Sequence, residues 1–82
     1  MQTVVLYARA GCHLCDEARA VIEAVRRRTP FAFVEVDIET SDDLLRDYAI
    51  RIPVVTLDGE ERFEIAVDAA ELEAAVREEE PR

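Results

Sequence analysis

Two cysteines stand three residues apart in the stretch R-A-G-C-H-L-C-D at residues 9–16, and the chain has no others. Sulfurs at this spacing can hold half of a metal site, staple the chain, or pass electrons as a dithiol–disulfide pair. A staple closing so small a loop gains little, because the chain-entropy contribution shrinks with loop size. Structural zinc takes four Cys or His ligands, commonly as two separated pairs. Here only Cys12, Cys15 and His13, wedged between them, are on offer. A metal reading therefore needs a dimer that pools two pairs.

The redox reading depends on where the motif sits. After the Ala10-Gly11 break, Leu14, Ala18, Val21, Ile22 and Val25 recur at helical spacing with charged residues between them. The pattern predicts a helix over residues 12–28, ended by three arginines that suit its C-terminal dipole and stopped by Pro30. Cys12 then lies where backbone N–H groups and the positive end of the helix dipole favour thiolate over thiol. A free cysteine titrates near pH 8.5 and is only about 3% thiolate at pH 7; at this position a lowered Cys12 pKa is expected. Cys15 falls one turn further on the same face, where an exposed attacker with a more buried partner is the arrangement that thiol–disulfide exchange needs. Asp16 and Glu17 oppose the thiolate, while Arg9, three residues before Cys12, offsets part of their effect. His13 is adjacent to Cys12 and so poorly placed to act as its base; tuning the redox potential suits it better.

Other elements must carry this turn. Residues 3–7 (T-V-V-L-Y) are apolar on both parities, which predicts a strand buried on both faces. Residues 31–38 read as a second strand with Ala32, Val34, Val36 and Ile38 on its apolar face. A short helix over 42–48 follows, capped by Thr40 or Ser41. Strands over 54–57 and 62–65 flank Asp58-Gly59, a hairpin signal, and Asp68 with Glu71 has capping-box spacing before a last helix. The order is β-α-β-α-β-β-α, an α/β chain with a mixed four-stranded sheet and helices on both faces. One domain over 1–79 is expected, with 80–82 as a frayed acidic tail. The cysteines fall on the first strand-to-helix turn, at the sheet edge where open α/β folds place ligands.

The chain has 82 residues and a formal net charge of −9, with 10 basic residues, all of them arginine. So acidic a domain repels phosphate backbones and anionic lipid, which argues against nucleic-acid and membrane partners. The N-terminal stretch lacks signal-peptide features, and a cytoplasmic monomer is expected.

The cysteine motif, its place after the first strand and the later R-I-P-V-V resemble the glutaredoxin and thioredoxin superfamily. The front Y-A-R-A-G-C-H-L-C-D-E-A, the V-D-I at 36–38 and the Tyr48-to-Val54 spacing are similar to small bacterial glutaredoxin-like proteins. That resemblance covers about residues 3–78 and implies a thioredoxin-like fold and a disulfide oxidoreductase. Cys12 would attack, Cys15 would resolve the mixed disulfide, and Pro53 would be a cis-proline facing them. Ile52 would turn its backbone toward an extended thiol substrate. Arg9 matches the basic residue that helps to bind a glutathione carboxylate, and His13 completes the substrate-facing set. No tightly bound cofactor is implied. The external donor would be glutathione or a thioredoxin-type protein, and the substrate a disulfide-containing protein or low-molecular-weight thiol. The chain departs from the family where a Gly-Gly pair is usual, since Phe63 and Glu64 take those places. Side chains there obstruct close approach by a ligand to the backbone. A non-catalytic binding module of the same fold and a metal-bridged dimer through Cys12 and Cys15 are the alternatives.

Overall fold

The computed structural model describes residues 2–78. The expected tail, and residues 1 and 79 of the expected domain, lie outside the described residues. Strand β1 (Thr3–Ala8) leads into helix α1 (His13–Arg28), then β2 (Ala32–Asp37), α2 (Asp42–Tyr48), β3 (Val54–Leu57), β4 (Glu60–Glu64) and α3 (Ala69–Glu78). The sheet order is β2-β1-β3-β4. β1 runs parallel to β2 and antiparallel to β3, and β3 is antiparallel to β4. This is the mixed, four-stranded thioredoxin-like architecture.

The core forms on one face of the sheet. Val4, Leu6 and Ala8 alternate inward from β1 and meet Cys15, Ala18, Ile22 and Val25 of α1. Leu72, Ala75 and Val76 of α3 and Val55 and Leu57 of β3 complete it. Fully burying one such aliphatic side chain is worth about 1.5–3 kcal/mol, so these few positions dominate the stability of so small a chain.

The opposite face is thinner than the apolar pattern predicts. Only the short α2 approaches it, through Tyr48, whose ring stacks on Tyr7 of β1 at 4.5 Å between centroids. With α1 and α3 both on the first face, Thr3, Val5 and Tyr7 are half-buried rather than covered, and Val34 of edge strand β2 is 47% exposed. β2 is also shorter than expected. Ile38 leaves it to start a 3-10 turn over Ile38–Thr40, where the Asp37 carboxylate accepts the Glu39 N–H at 2.8 Å.

Local signals act where the sequence places them. Ser41 Oγ accepts the Leu44 N–H at the start of α2, and Asp68 Oδ1 accepts the Glu71 N–H before α3. Asp58 and Gly59 both take positive φ, 50° and 87°, as a tight right-twisted hairpin requires. β4 begins two residues earlier than expected and loses Ile65 at its end. A bulge opposite Val55/Thr56 takes up one extra residue, and Ile65 adopts φ 73°, which leaves the ladder.

Candidate active site

Sheet register brings the motif and the proline to one edge. Tyr7 pairs with Val54, so the chain leaving β1 toward the cysteines passes the residues that enter β3. Gly11, at φ 78°, turns the chain, and Cys12 follows in extended backbone as the N-cap of α1. Its Sγ accepts the Cys15 N–H at 3.1 Å, in the role that a serine or aspartate oxygen plays at an ordinary helix start. Cys12 and Cys15 form a disulfide with a Cα–Cα separation of 5.2 Å. Cys12 is half-buried, while Cys15 is fully buried in the core. On reduction the same N–H and the first-turn dipole are in place to stabilise negative charge on Cys12.

The acidic residues beside the motif are each engaged. Arg19 bridges Asp16 at 2.8 Å and Glu35 through two hydrogen bonds, at 2.7 and 2.5 Å. Those bonds, Glu35 first and Asp16 second, hold the Arg19 guanidinium charged beyond its usual range. His13 is largely exposed with its Nε2 3.0 Å from Glu17, one turn along the outer face of α1. Arg9 reaches Glu39 at 3.0 Å and lines an open cleft of about 390 Å³ with Asp16, Arg19, Glu35 and Asp37. Its charge is therefore shared with Glu39.

On the other side of the motif the Ile52–Pro53 peptide is cis. Pro53 is buried and Ile52 half-buried against the core. Arg51 fixes this segment: its guanidinium lies 5.5 Å above the Tyr48 ring and pairs with Glu61 and Glu64 of β4. Arg51 and Ile52 also donate their N–H groups to the Tyr48 carbonyl at 2.8 and 3.1 Å. Burial, then the neighbouring Tyr7, raises the Tyr48 hydroxyl pKa above its ordinary value. The Pro53 carbonyl accepts the Ile65 N–H at 2.8 Å, which ties the end of β4 to the proline.

Ile65 is the feature that sequence reasoning misses. The left-handed backbone lies there rather than at Phe63 or Glu64; Phe63 packs on the core and Glu64 holds Arg51. A β-branched residue at positive φ is a marked outlier, and no apolar periodicity announces it. Beside it Leu14, Ala18, Val21 and Val67, with Glu17, line a small, mostly apolar groove next to the motif.

A family model described as Glutaredoxin-like domain (DUF836) matches residues 3–77. Among solved structures, target protein XcR50 from X. campestris is 33% identical, with 92% of this chain and 96% of that one covered and a TM-score of 0.75. Protein Ne2328 from Nitrosomonas europaea is 28% identical, with 90% and 89% covered and a TM-score of 0.78. A mutant thioredoxin from Halobacterium salinarum shares the fold at 22% identity, with 94% and 73% covered and a TM-score of 0.70. With its helix-capping cysteine pair carried on this sheet and nearly its whole length matched, the chain belongs to the glutaredoxin-like domain family (DUF836).

Proposed function

We propose that this protein is a thiol–disulfide oxidoreductase working through Cys12 and Cys15. One observation carries the reading: Cys12 Sγ is the accepting atom of a helix N-cap, half-exposed, while its partner Cys15 is fully buried. In the reduced protein the Cys12 thiolate attacks one sulfur of a substrate disulfide and expels the other as a thiolate, which takes a proton from water. Cys15 then gives up its proton and attacks Cys12 Sγ, releasing the second thiol. Two electrons pass to the substrate, and the protein is left with the Cys12–Cys15 disulfide. An external thiol or dithiol returns it to the reduced form. Ile52 and Pro53 border the site on the β3 side, where backbone groups pair with an extended substrate. Arg9 and His13 flank it on the α1 side and set its local charge.

The test is the rate of Cys12 alkylation by iodoacetamide against pH, on the reduced Cys15→Ser variant. A midpoint well below the free-cysteine value of about 8.5 is expected. A midpoint at or above it, or a thiol that scarcely reacts, would sink the catalytic reading.

A further inference from the structure

Among the described residues, four large aliphatic side chains are exposed: Leu14 (44%), Val34 (47%), Ile50 (93%) and Ile65 (43%). Two of them, Leu14 and Ile65, share one groove beside the cysteine pair, and a third, Ile50, lies in the segment between α2 and Pro53. Leu14 lies inside the motif, Ile50 in the turn that leads to Pro53, and Ile65 is bonded through its N–H to the Pro53 carbonyl. Leu14 and Ile65 face each other across the small groove beside α1. Scattered exposed aliphatics need no explanation, but a cluster around one edge marks a surface that meets a partner.

The charge around this edge selects among partners. On the cleft side two guanidiniums, Arg9 and Arg19, stand against four carboxylates, Asp16, Glu35, Asp37 and Glu39. On the proline side Arg51 is held by Glu61 and Glu64, and Arg62 lies 3.2 Å from Glu60, two guanidiniums against three carboxylates. Glu17, 3.0 Å from His13, adds a further carboxylate beside the motif. The arginines that could receive an anionic ligand already have intramolecular partners, and the surplus on both flanks is negative. An anionic disulfide such as oxidised glutathione is thus repelled where a cationic one is drawn in.

We infer that the substrate is a polypeptide disulfide whose cysteine is flanked by apolar residues and then by basic ones. The apolar neighbours cover Leu14, Ile50 and Ile65, and the basic ones meet the acidic flanks. This inference rests on the oxidoreductase reading and deepens it.

Its test is the second-order rate at which the reduced protein is oxidised by three symmetrical disulfides of blocked pentapeptides, each with a central cysteine. The first has leucine beside the cysteine and arginine at both ends; the second replaces arginine by glutamate; the third replaces leucine by glycine. Reactions are acid-quenched and counted by mass. At low salt the first probe should react about tenfold or more faster than the second, with the gap closing in about 0.5 M NaCl. It should also outrun the third at either salt level, an advantage lost in the Leu14→Ser variant. Glu17→Arg should narrow the charge preference by slowing both arginine-ended probes and speeding the glutamate one, while the advantage of leucine over glycine remains. Equal, fast rates for all three would overturn the substrate inference and leave the oxidoreductase reading standing. Rates no faster than those of a simple dithiol such as dithiothreitol would take down both.

Discussion

The two ends of the sheet solve opposite problems. At the end where β1 begins, polar groups find partners. Thr3 and Asp58 exchange hydrogen bonds, the Asp58 carboxylate accepting the Thr3 N–H at 2.8 Å and the Asp58 N–H donating to the Thr3 carbonyl at 2.9 Å. Gln2 donates to the Val76 carbonyl, and Glu73 of α3 collects Thr29, Arg28 and Arg77 at the C-terminal end of α1. At the cysteine end the chain exposes Leu14, Ile50 and Ile65 and holds Ile65 in a left-handed backbone. One end closes the fold; the other keeps apolar surface and a left-handed isoleucine near the cysteine pair.

Mutations can break this contrast or sharpen it. The largest effect is expected for Cys12→Ser, which retains a capping oxygen but has no thiolate. Its disulfide-exchange rate should fall by ~10³-fold or more, while circular dichroism and the unfolding midpoint stay close to those of the reduced wild type. A large loss of helix would instead make Cys12 a structural residue. Next comes Asp58→Ala, which removes the acceptor for Thr3 and puts alanine at positive φ. About 1–2 kcal/mol of stability should be lost in urea titration, with exchange rates unchanged. A drop in rate would mean that the two ends are coupled.

Glu73→Gln acts more gently and through pH. The hydrogen bond from Arg28, then that from Thr29, lowers the Glu73 pKa below its ordinary value. A carboxylate with a depressed folded pKa adds stability above its unfolded pKa and loses it as pH falls through the folded one. The wild type should therefore lose part of its margin over the variant on acidification, and their unfolding midpoints should converge at low pH. A gap independent of pH would show that charge is not the source.

The smallest change is at Ile65. Glycine relieves a left-handed strain of order 1–3 kcal/mol, offset by the roughly 0.5–1 kcal/mol that its unfolded-state freedom costs and by lost contact area. Ile65→Gly should stay within about 1 kcal/mol of the wild type, yet be more stable than Ile65→Ala, against the usual order. The reverse ranking would show that the backbone there is unstrained.

What the sequence announces is local. The Cys12 cap, the bounds of α2, the Asp58-Gly59 turn and the Asp68 cap follow from residue types within a helical turn or so of each other. Element order follows from periodicity and turn signals, and the mixed four-stranded sheet from that order, whereas the thioredoxin-like fold follows from the resemblance of the motifs. Charge pairing is not legible in this way. Arg9 meets Glu39 thirty positions away and Arg51 meets Glu61 of β4, partners that no spacing rule connects. Nor does apolar pattern distinguish a covered sheet face from an open one; Val34 shares the apolar parity of β2 and stands exposed because α2 is too short to reach it.

Cys12 Sγ both closes the first turn of α1 and, in the proposed chemistry, takes the substrate. The backbone amide of Cys15 is thus wired to the electron count of the sulfur. A full thiolate is a stronger acceptor than a disulfide sulfur, so this single N–H should act as a built-in gauge of redox state. In a nitrogen–proton correlation spectrum its shift and exchange rate would report turnover from inside the helix, with no thiol-reactive probe on either cysteine.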